Sequence, residues 1–500
     1  MIGFSAGLFG LALNAILIDV FEASKVAFSL WLLMGIVIGI LNSYQKGTIV
    51  LREEVKKILT STPAIIVYLF VLILFLFSPI FNNYFLGDDF TWLRWAAQPT
   101  NYFTNSNGFF YRPGTKLYFY LMYQSFWLNQ TVYYFVSVFL HFLVAILFFL
   151  VSRKILKSLS LSVLAVFLFV TLSGYLEAVF WISSTGYLFN AIFILLSLFC
   201  FILWEEKKKN IFLCLSVFSI ILSFLFHELG VVSALIIILY RFCFREKFSF
   251  NRLFGNRVNQ LLLFPILPYL GLRFLAKSHW FSGDYSYNLL KLPFNLVGNA
   301  LGYLTLDLFG PFSLPFYQKL RDFAKGHLFI GLLFSIILVY VSVLLYQKII
   351  KKMTESERKV VIFGFCFFLI ALLPFLGLGN IASRYSYLSS MGIVLVLVIF
   401  IKKLYEFSSA INNRQNTLVI FVMIIGFFSL WHLVQLQKVQ GDWSASSERV
   451  RRFLISADSL YSDSRTKKAF NLYLVNVPIR YGDAWVFPSG LNDALWFVFH

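Results

Sequence analysis

Apolar runs about as long as a bilayer is thick recur along the chain, separated by short polar stretches. They cover 3–19, 26–43, 61–82, 131–151, 159–175, 185–204, 210–226, 229–244, 258–276, 327–347, 359–378, 386–403 and 416–437. A further stretch, 294–317, is interrupted by Gly298, Gly302, Asp307, Gly310, Pro311 and Pro315. Such interruptions suit a re-entrant or interfacial helix better than a plain span. The pattern predicts an all-α polytopic membrane protein with about thirteen transmembrane helices plus that one element.

The polar stretches set the orientation. Basic residues cluster in short loops: Arg153/Lys154/Lys157, Lys207–Lys209, Arg241/Arg245/Lys247/Arg252/Arg257 and Lys348/Lys351/Lys352. Placing these in the cytoplasm puts 83–130, 176–184, 227–228, 277–326, 379–385 and everything after 437 on the external side. A crossing by 294–317 would carry Lys348–Lys352 outside, so the scheme closes only if it does not cross.

Three regions follow. Residues 1–57 form two accessory helices and the charged linker "LREEVKK"; 58–437 form the transmembrane body; 438–500 form a small mixed α/β external segment. In the last, "WSASSERVRRFLISADSL" predicts an amphipathic helix, and "NLYLVNVPI" and "AWVFPSG" predict strands. The ending at "LWFVFH" suits a domain cut short. The N-terminus lacks a basic region and a small-residue cleavage site, so its first helix is expected to remain.

Composition agrees. The 500 residues are 59% hydrophobic, 20% aromatic and only 13% charged, with a mean hydropathy of +0.79; a soluble protein is not so poor in charge. The net charge of +19 is the cytoplasmic-loop excess and not a nucleic-acid groove, since no basic cluster is interleaved with aromatics. Membrane lipids are the expected surroundings, with no nucleic-acid partner. Cys200, Cys214, Cys243 and Cys366 lie in or beside apolar runs without paired spacing and read as core residues. No phosphate-binding glycine loop, H-E-x-x-H, G-x-S-x-G or C-x-x-C is present.

Candidate chemistry gathers on the external side, where Asp88, Asp89, Glu177, Glu228, Asp284 and Asp307 all fall. In "YFLGDDFTWLRW" two adjacent carboxylates open a long loop. One of them can cap the following helix, which leaves the other for a different task. The loop continues into "FFYRPGTKLYFYLMYQSFW", where Arg112 and Lys116 stand among aromatics that include Tyr111, a setting for a phosphate and a sugar or prenyl chain. Glu177 and Trp181 in "YLEAVFWISSTGYLFN" are four apart, as on one helical face. "FHELG" supplies His227 and Glu228 without a second ligand at metal spacing. Arg384 in "GNIASRYSYLSSMG" is an external arginine, which loop charge bias does not explain and phosphate binding does. Asp88 and Asp89 together could also hold a divalent metal such as Mg or Mn.

These motifs in order ("GDDFTWLRW", "YRP", "EAVFWIS", "SRYSYLSSMG") resemble those of GT-C-type membrane glycosyltransferases, over about 60–437. The nearest likeness is to bacterial relatives of protein O-mannosyltransferases and of the TPR-containing transmembrane O-mannosyltransferases. The resemblance implies a GT-C-like catalytic body at 58–437. It also implies transfer of a sugar from a polyprenyl-phosphate donor to a hydroxyl of a glycan, lipid or protein, on the external face of a bacterial inner or plasma membrane. It makes one of Asp88 and Asp89 the base and Arg384 and Tyr385 the donor-phosphate clamp, and it matches Glu177 and Glu228; beside it, the residues themselves offer Arg112 for the phosphate and Trp181, His227 and Tyr111 as supporting groups. At "FHELG" the chain departs from the family's lysine–glutamate pair, so only Glu228 carries over. The first fifty residues faintly resemble the last helices of O-antigen polymerases or ligases. A flippase of lipid-linked sugars, or a polymerase or ligase using a diphosphate donor, is the alternative, although a transporter would show internal repeats and none is visible.

Overall fold

The computed structural model describes residues 61–99, 110–246, 249, 255–278, 287–327, 329, 337, 340, 347, 350–411, 413–461 and 473–499. The accessory helices expected in 1–57, most of the span expected at 327–347, and Asp284 lie outside them. Among the described residues, seven helical stretches are long and apolar enough to cross a membrane: Thr62–Asn82, Gln130–Leu156, Ile182–Lys207, Arg257–Leu275, Glu355–Leu376, Ser383–Ala410 and Gln415–Ser459. Among the described residues strand is limited to one two-residue pair, and the protein is mainly helical.

The chain falls into two compact units. One ends at Ser78 and takes in Ile401–Val434; the other takes in Pro79–Phe400 and the chain from Gln435 onward. The first contains helix α1 (Thr62–Phe77), started by Ser61, whose side chain accepts the Ala64 N–H, and by a proline in the first turn. Every candidate site residue lies in the second unit.

In the second unit the chain runs back and forth. Helix α2 (Asp88–Ala97) and α3 (Pro113–Phe126) precede α4 (Gln130–Leu156), α5 (Leu159–Thr171), the single turn α6 (Glu177–Phe180), α7 (Thr185–Lys207), α8 (Asn210–Phe226) and α9 (Val232–Phe244). Lys157 and Lys208, both in the left-handed region, end α4 and α7. Buried serines and amides tie these apolar helices together: Ser137 Oγ donates to the Val179 carbonyl at 2.7 Å, Ser216 Oγ to Ser197 O at 2.9 Å, and Asn190 Nδ2 to Ser223 O at 2.9 Å. Between helices this apolar, such hydrogen bonds and close packing hold the elements to one another.

The two ends of these helices differ in chemistry. At one end Lys154 pairs with Glu206 at 2.6 Å, and Glu205 takes Arg245 at 2.6 Å with Arg241 Nε at 3.9 Å. The segments 83–89, 175–185 and 227–231 collect at the other end. At 1.5 Å per residue the ends of α4 stand roughly 40 Å apart. Lys154, Arg241 and Arg245 therefore sit at the end of these helices opposite Asp89, Glu177 and Glu228.

Downstream come α10 (Arg257–Leu263) and α11 (Ile266–Leu275), parted at Pro265; α12 (Leu292–Phe309) and α13 (Leu314–Gly326); and α14 (Glu355–Leu376) and α15 (Ser386–Ile411). A reciprocal cap starts α14: Thr354 Oγ1 accepts the Glu357 N–H at 3.4 Å and Glu357 Oε2 accepts the Thr354 N–H at 2.9 Å. A methyl added at Gly364 would meet the Gly392 carbonyl oxygen at 2.6 Å, so α14 and α15 cross where both backbones are bare.

Some elements differ from the sequence expectation. Gly298 and Gly302 do not break 294–317; they sit within α12, where the Tyr317 ring lies 2.8 Å from a methyl added at Gly302, and the break falls at Gly310 (φ 78°). The amphipathic helix expected after 437 is not separate. It is the outer part of α16 (Arg414–Tyr461), 48 residues long, because "QLQKVQGDWSASSERV" holds good helix formers and no proline, and Gly441 alone does not stop it. "NLYLVNVPI" forms no strand over its described residues, since Asn476 is left-handed and Pro478 lacks a donor. Pairing shrinks to β1 (Arg480–Tyr481) and β2 (Ala484–Trp485) around Gly482, followed by α17 (Leu491–Phe499).

Candidate functional site

The two aspartates occupy different settings. Gly87, at φ 42°, turns the chain into α2, so Asp88 and Asp89 are its first two residues. Asp89 is fully buried. Its Oδ2 accepts the Leu86 N–H at 2.9 Å, and its Oδ1 accepts both the Ser183 N–H at 2.8 Å and the Ser183 hydroxyl at 2.5 Å. One carboxylate thus fastens the approach to α2 and ties it to the turn before α7. Asp88 is half-exposed and accepts the Ser489 hydroxyl. Gly87 is the cap and neither aspartate side chain caps α2, contrary to the sequence expectation: Asp89 holds the segment before the helix, and Asp88 takes the Ser489 hydroxyl.

Glu177 and Arg384 form the second group. Glu177 is buried, and Arg384 precedes α15 in the turn Ser383–Tyr385. Glu177 Oε1 takes the Arg384 guanidinium and the Trp485 indole N–H, the latter at 2.5 Å. Oε2 takes the Arg384 N–H and the Ser383 hydroxyl, both at 3.3 Å. Burial alone would raise the Glu177 carboxyl. The Arg384 charge, the Trp485 and Arg384 N–H bonds and the Arg480 charge outweigh it and hold Glu177 below the usual carboxylate range. Arg384 also lies over the rings of Trp181 (5.3 Å) and Tyr385 (4.8 Å), and the Tyr385 ring stacks on Phe375 at 4.0 Å. Glu177 and Trp181 do not share a helical face: α6 ends at Phe180 and Trp181 is extended. Arg384 is what joins them.

The third group lies at the start of α3 and the turn after α8. Arg112 Nε and Nη2 both lie 2.8 Å from Glu228 Oε2, and the Tyr111 N–H reaches Glu228 Oε1 at 3.3 Å. The neighbouring His227 is buried, with its ring 4.1 Å from that of Tyr187. Burial, reinforced by the charges of Arg112 and Arg384, holds the His227 imidazole well below the usual histidine range. The ring is therefore neutral, and the 3.5 Å approach of Glu228 to Nδ1 is not an ion pair. Because Nδ1 accepts the Leu229 N–H at 3.1 Å, the proton sits on Nε2. Among the described residues this Nε2 and the buried Tyr111 hydroxyl have no hydrogen-bond partner.

The three groups belong to one place. Trp485 touches Glu177 and Ser489 touches Asp88, and four residues of chain span at most about 14 Å. The Tyr187 ring lies 4.1 Å from that of His227 and 6.0 Å from that of Tyr385, the neighbour of Arg384. Comparison with known proteins adds no identity: no family model matches the chain, and no curated protein does.

All ten sequence candidates fall within these groups. Lys116 stands apart, over the Trp95 ring at 5.0 Å. Sequence reasoning missed Ser183, Tyr187, Arg480, Trp485 and Ser489. Arg480 and Trp485 pair across β1–β2, with the guanidinium 3.6 Å over the indole. The signal for them was the polar and aromatic content of "IRYGDAWVFPSG", whose tight turn returns the chain onto the site. The residues at Asp88 and Asp89 do not suit a divalent cation, because three N–H and O–H donors already face Asp89.

Asp89 predicts a pH effect. Burial pushes its carboxyl up to about 7, against the Ser183 and Leu86 donors and with a small push from Asp88. The folded value lies above the unfolded one, so the stability this proton contributes is complete below about pH 4 and is lost as pH rises through about 7. Asp89→Asn should flatten the dependence of unfolding on pH across that window. Unfolding midpoints for wild type and variant between pH 4 and 8 test it, and an unchanged slope refutes it.

Proposed function

We propose that the chain is a GT-C-type membrane glycosyltransferase that moves a sugar from a polyprenyl-phosphate donor to an acceptor hydroxyl. The observation that carries this reading is the linkage of a half-exposed carboxylate, Asp88, to the Arg384 guanidinium on buried Glu177 through residues 485–489. A base for the incoming hydroxyl and cations for the outgoing phosphate are the two needs of such a transfer. The location of both at the end of the helices opposite the basic loops supports an external site in a bacterial inner or plasma membrane. The sequence scheme of about thirteen spans belongs to the same proposal.

In the proposed reaction the acceptor oxygen attacks the anomeric carbon as Asp88 takes its proton. The bond from that carbon to the phosphate oxygen breaks, and polyprenyl phosphate leaves as an anion that needs no general acid. Arg384, Arg112 and the Nε2–H of His227 stabilise that anion. Attack in line with the departing oxygen inverts the sugar carbon. Tyr385, whose hydroxyl accepts an Arg384 N–H at 3.2 Å, and Trp181, whose ring lies 5.3 Å from the guanidinium, orient Arg384.

The test supplies purified protein with polyprenyl-monophosphate sugars and polyprenyl-diphosphate sugars. Acceptor-dependent release of polyprenyl phosphate is expected with a monophosphate donor. Turnover confined to diphosphate donors would make the protein a polymerase or ligase. Movement of the intact donor across vesicles without turnover would make it a transporter and overturn the proposal.

A further inference from the structure

The hairpin after α16 carries an arginine that the transfer scheme has not used. The Tyr481–Ala484 turn needs Gly482 (φ 56°), because Asp442 of α16 crowds the place of a side chain, and Asp442 Oδ2 accepts the Asp483 N–H at 3.1 Å while pairing with Lys438 at 3.0 Å. Backbone bonds continue the hairpin: the Val486 N–H reaches Ile479 O at 2.9 Å and the Phe487 N–H reaches Pro478 O at 3.2 Å. The register of β1 on β2 then sets Arg480 opposite Trp485, with the guanidinium 3.6 Å over the indole ring. The indole N–H lies on Glu177 Oε1 at 2.5 Å, so a single ring separates Arg480 from the carboxylate that holds Arg384.

Arg480 is held differently from the other arginines of the site. Arg384 gives N–H groups to Glu177 and to the Tyr385 hydroxyl, and Arg112 directs Nε and Nη2 at Glu228. Arg480 is held by its face. The five N–H donors of a guanidinium lie in its plane, so stacking on an indole fixes that plane and uses none of them. Among the described residues the exposed Arg480 makes no hydrogen bond and no ion pair, and Asp483 across the turn does not pair with it.

We propose that Arg480 is a further guanidinium on the phosphate of the lipid-linked donor, binding it edge-on from its stack on Trp485. This rests on the transferase reading, which places that phosphate beside Glu177 and Arg384. Arg384 contributes its charge from within the ion pair, and Arg480 contributes donors in a plane that the indole has already set. Two parallel N–H bonds to two phosphate oxygens suit that edge. The donor's phosphodiester carries less negative charge than the polyprenyl phosphate that leaves, so the contact strengthens as the bond to the sugar breaks. The alcohol form of the same lipid offers Arg480 no charge.

The test measures binding of undecaprenyl phosphate and of undecaprenol to the purified full chain in nanodiscs of zwitterionic lipid. Wild type should favour the phosphate over the alcohol, and phosphatidylglycerol at equal concentration should not displace it. R480Q should weaken phosphate binding about tenfold and leave undecaprenol binding unchanged. Citrulline at 480 keeps a planar group on Trp485 and removes the charge; it should lose as much as R480Q, and it makes the same comparison should R480Q fail to fold. The proposal is overturned by wild-type phosphate binding in either variant, or by equal weakening toward the alcohol, which would assign Arg480 to packing. It is overturned as well if phosphatidylglycerol displaces the phosphate mole for mole, or if R480Q raises only the KM for the acceptor. In each of these cases a wild type that still favours undecaprenyl phosphate over undecaprenol leaves the transferase reading standing. A wild type without that preference refutes the phosphate site itself, and this inference with it.

Discussion

Asp88→Asn should lower sugar transfer by about 10²–10⁴-fold, the usual worth of a positioned general base, and leave the fold intact. Asp88 is the first residue of α2 and half-exposed, and an asparagine there still offers an oxygen to the Ser489 hydroxyl. What the amide cannot do is accept a proton from an attacking hydroxyl. Asp89→Asn should behave differently. Its target is the tie between Leu86 and Ser183, where the amide offers one oxygen in place of two, so its effect belongs to the unfolding profile and turnover should stay within about tenfold of wild type. Release of polyprenyl phosphate and thermal unfolding, measured on the same preparations, separate the two. A folded but inactive Asp89→Asn beside an active Asp88→Asn would exchange the roles.

That division of labour between neighbours shows where sequence reading stops. The pattern "GDDFTW" announces a helix start, but both acids are equally good caps by composition, and the structure uses neither as one. Their roles are divided by Ser183, 94 residues away, whose two donors claim Asp89. The helical body was legible because apolar periodicity acts locally. The opposition of basic and acidic helix ends was legible because charge in loops follows orientation. Arg384, Glu177, Arg112 and Glu228 were legible as exceptions, being ionisable groups beside apolar runs, yet their pairing was not, since partner choice depends on which turns meet. The C-terminal hairpin was the least legible part. A two-residue ladder carries almost no alternation signal, and α16 continues past the end of its apolar run because helix propensity, not hydropathy, ends a helix. The residues that bind the hairpin to the site, Trp485 and Ser489, are ordinary members of a mixed segment until the fold brings them onto Glu177 and Asp88.

Glu177→Leu should be the most destabilising change in the site. It removes the acceptor shared by the Arg384 guanidinium, the Arg384 N–H, the Ser383 hydroxyl and the Trp485 indole. Removing one member of a buried ion pair costs about 3–5 kcal/mol, because the remaining charge is left without compensation. The Arg384 side chain keeps 16% exposure, so water relieves part of that penalty and the lower end, about 3 kcal/mol, is expected. Glu177→Gln should cost less, since its oxygen can still accept from Arg384 or Trp485. Adding Arg384→Leu to Glu177→Leu should recover most of the lost stability by taking away the stranded charge, while transfer stays abolished because the phosphate has lost its guanidinium. Denaturant unfolding of the three variants in one detergent, read beside transfer, tests the scheme. If Glu177→Leu unfolds with wild-type stability, the carboxylate does not hold this end of the fold together. If the double variant is no more stable than Glu177→Leu, the loss comes from packing around residue 177 and not from an uncompensated arginine.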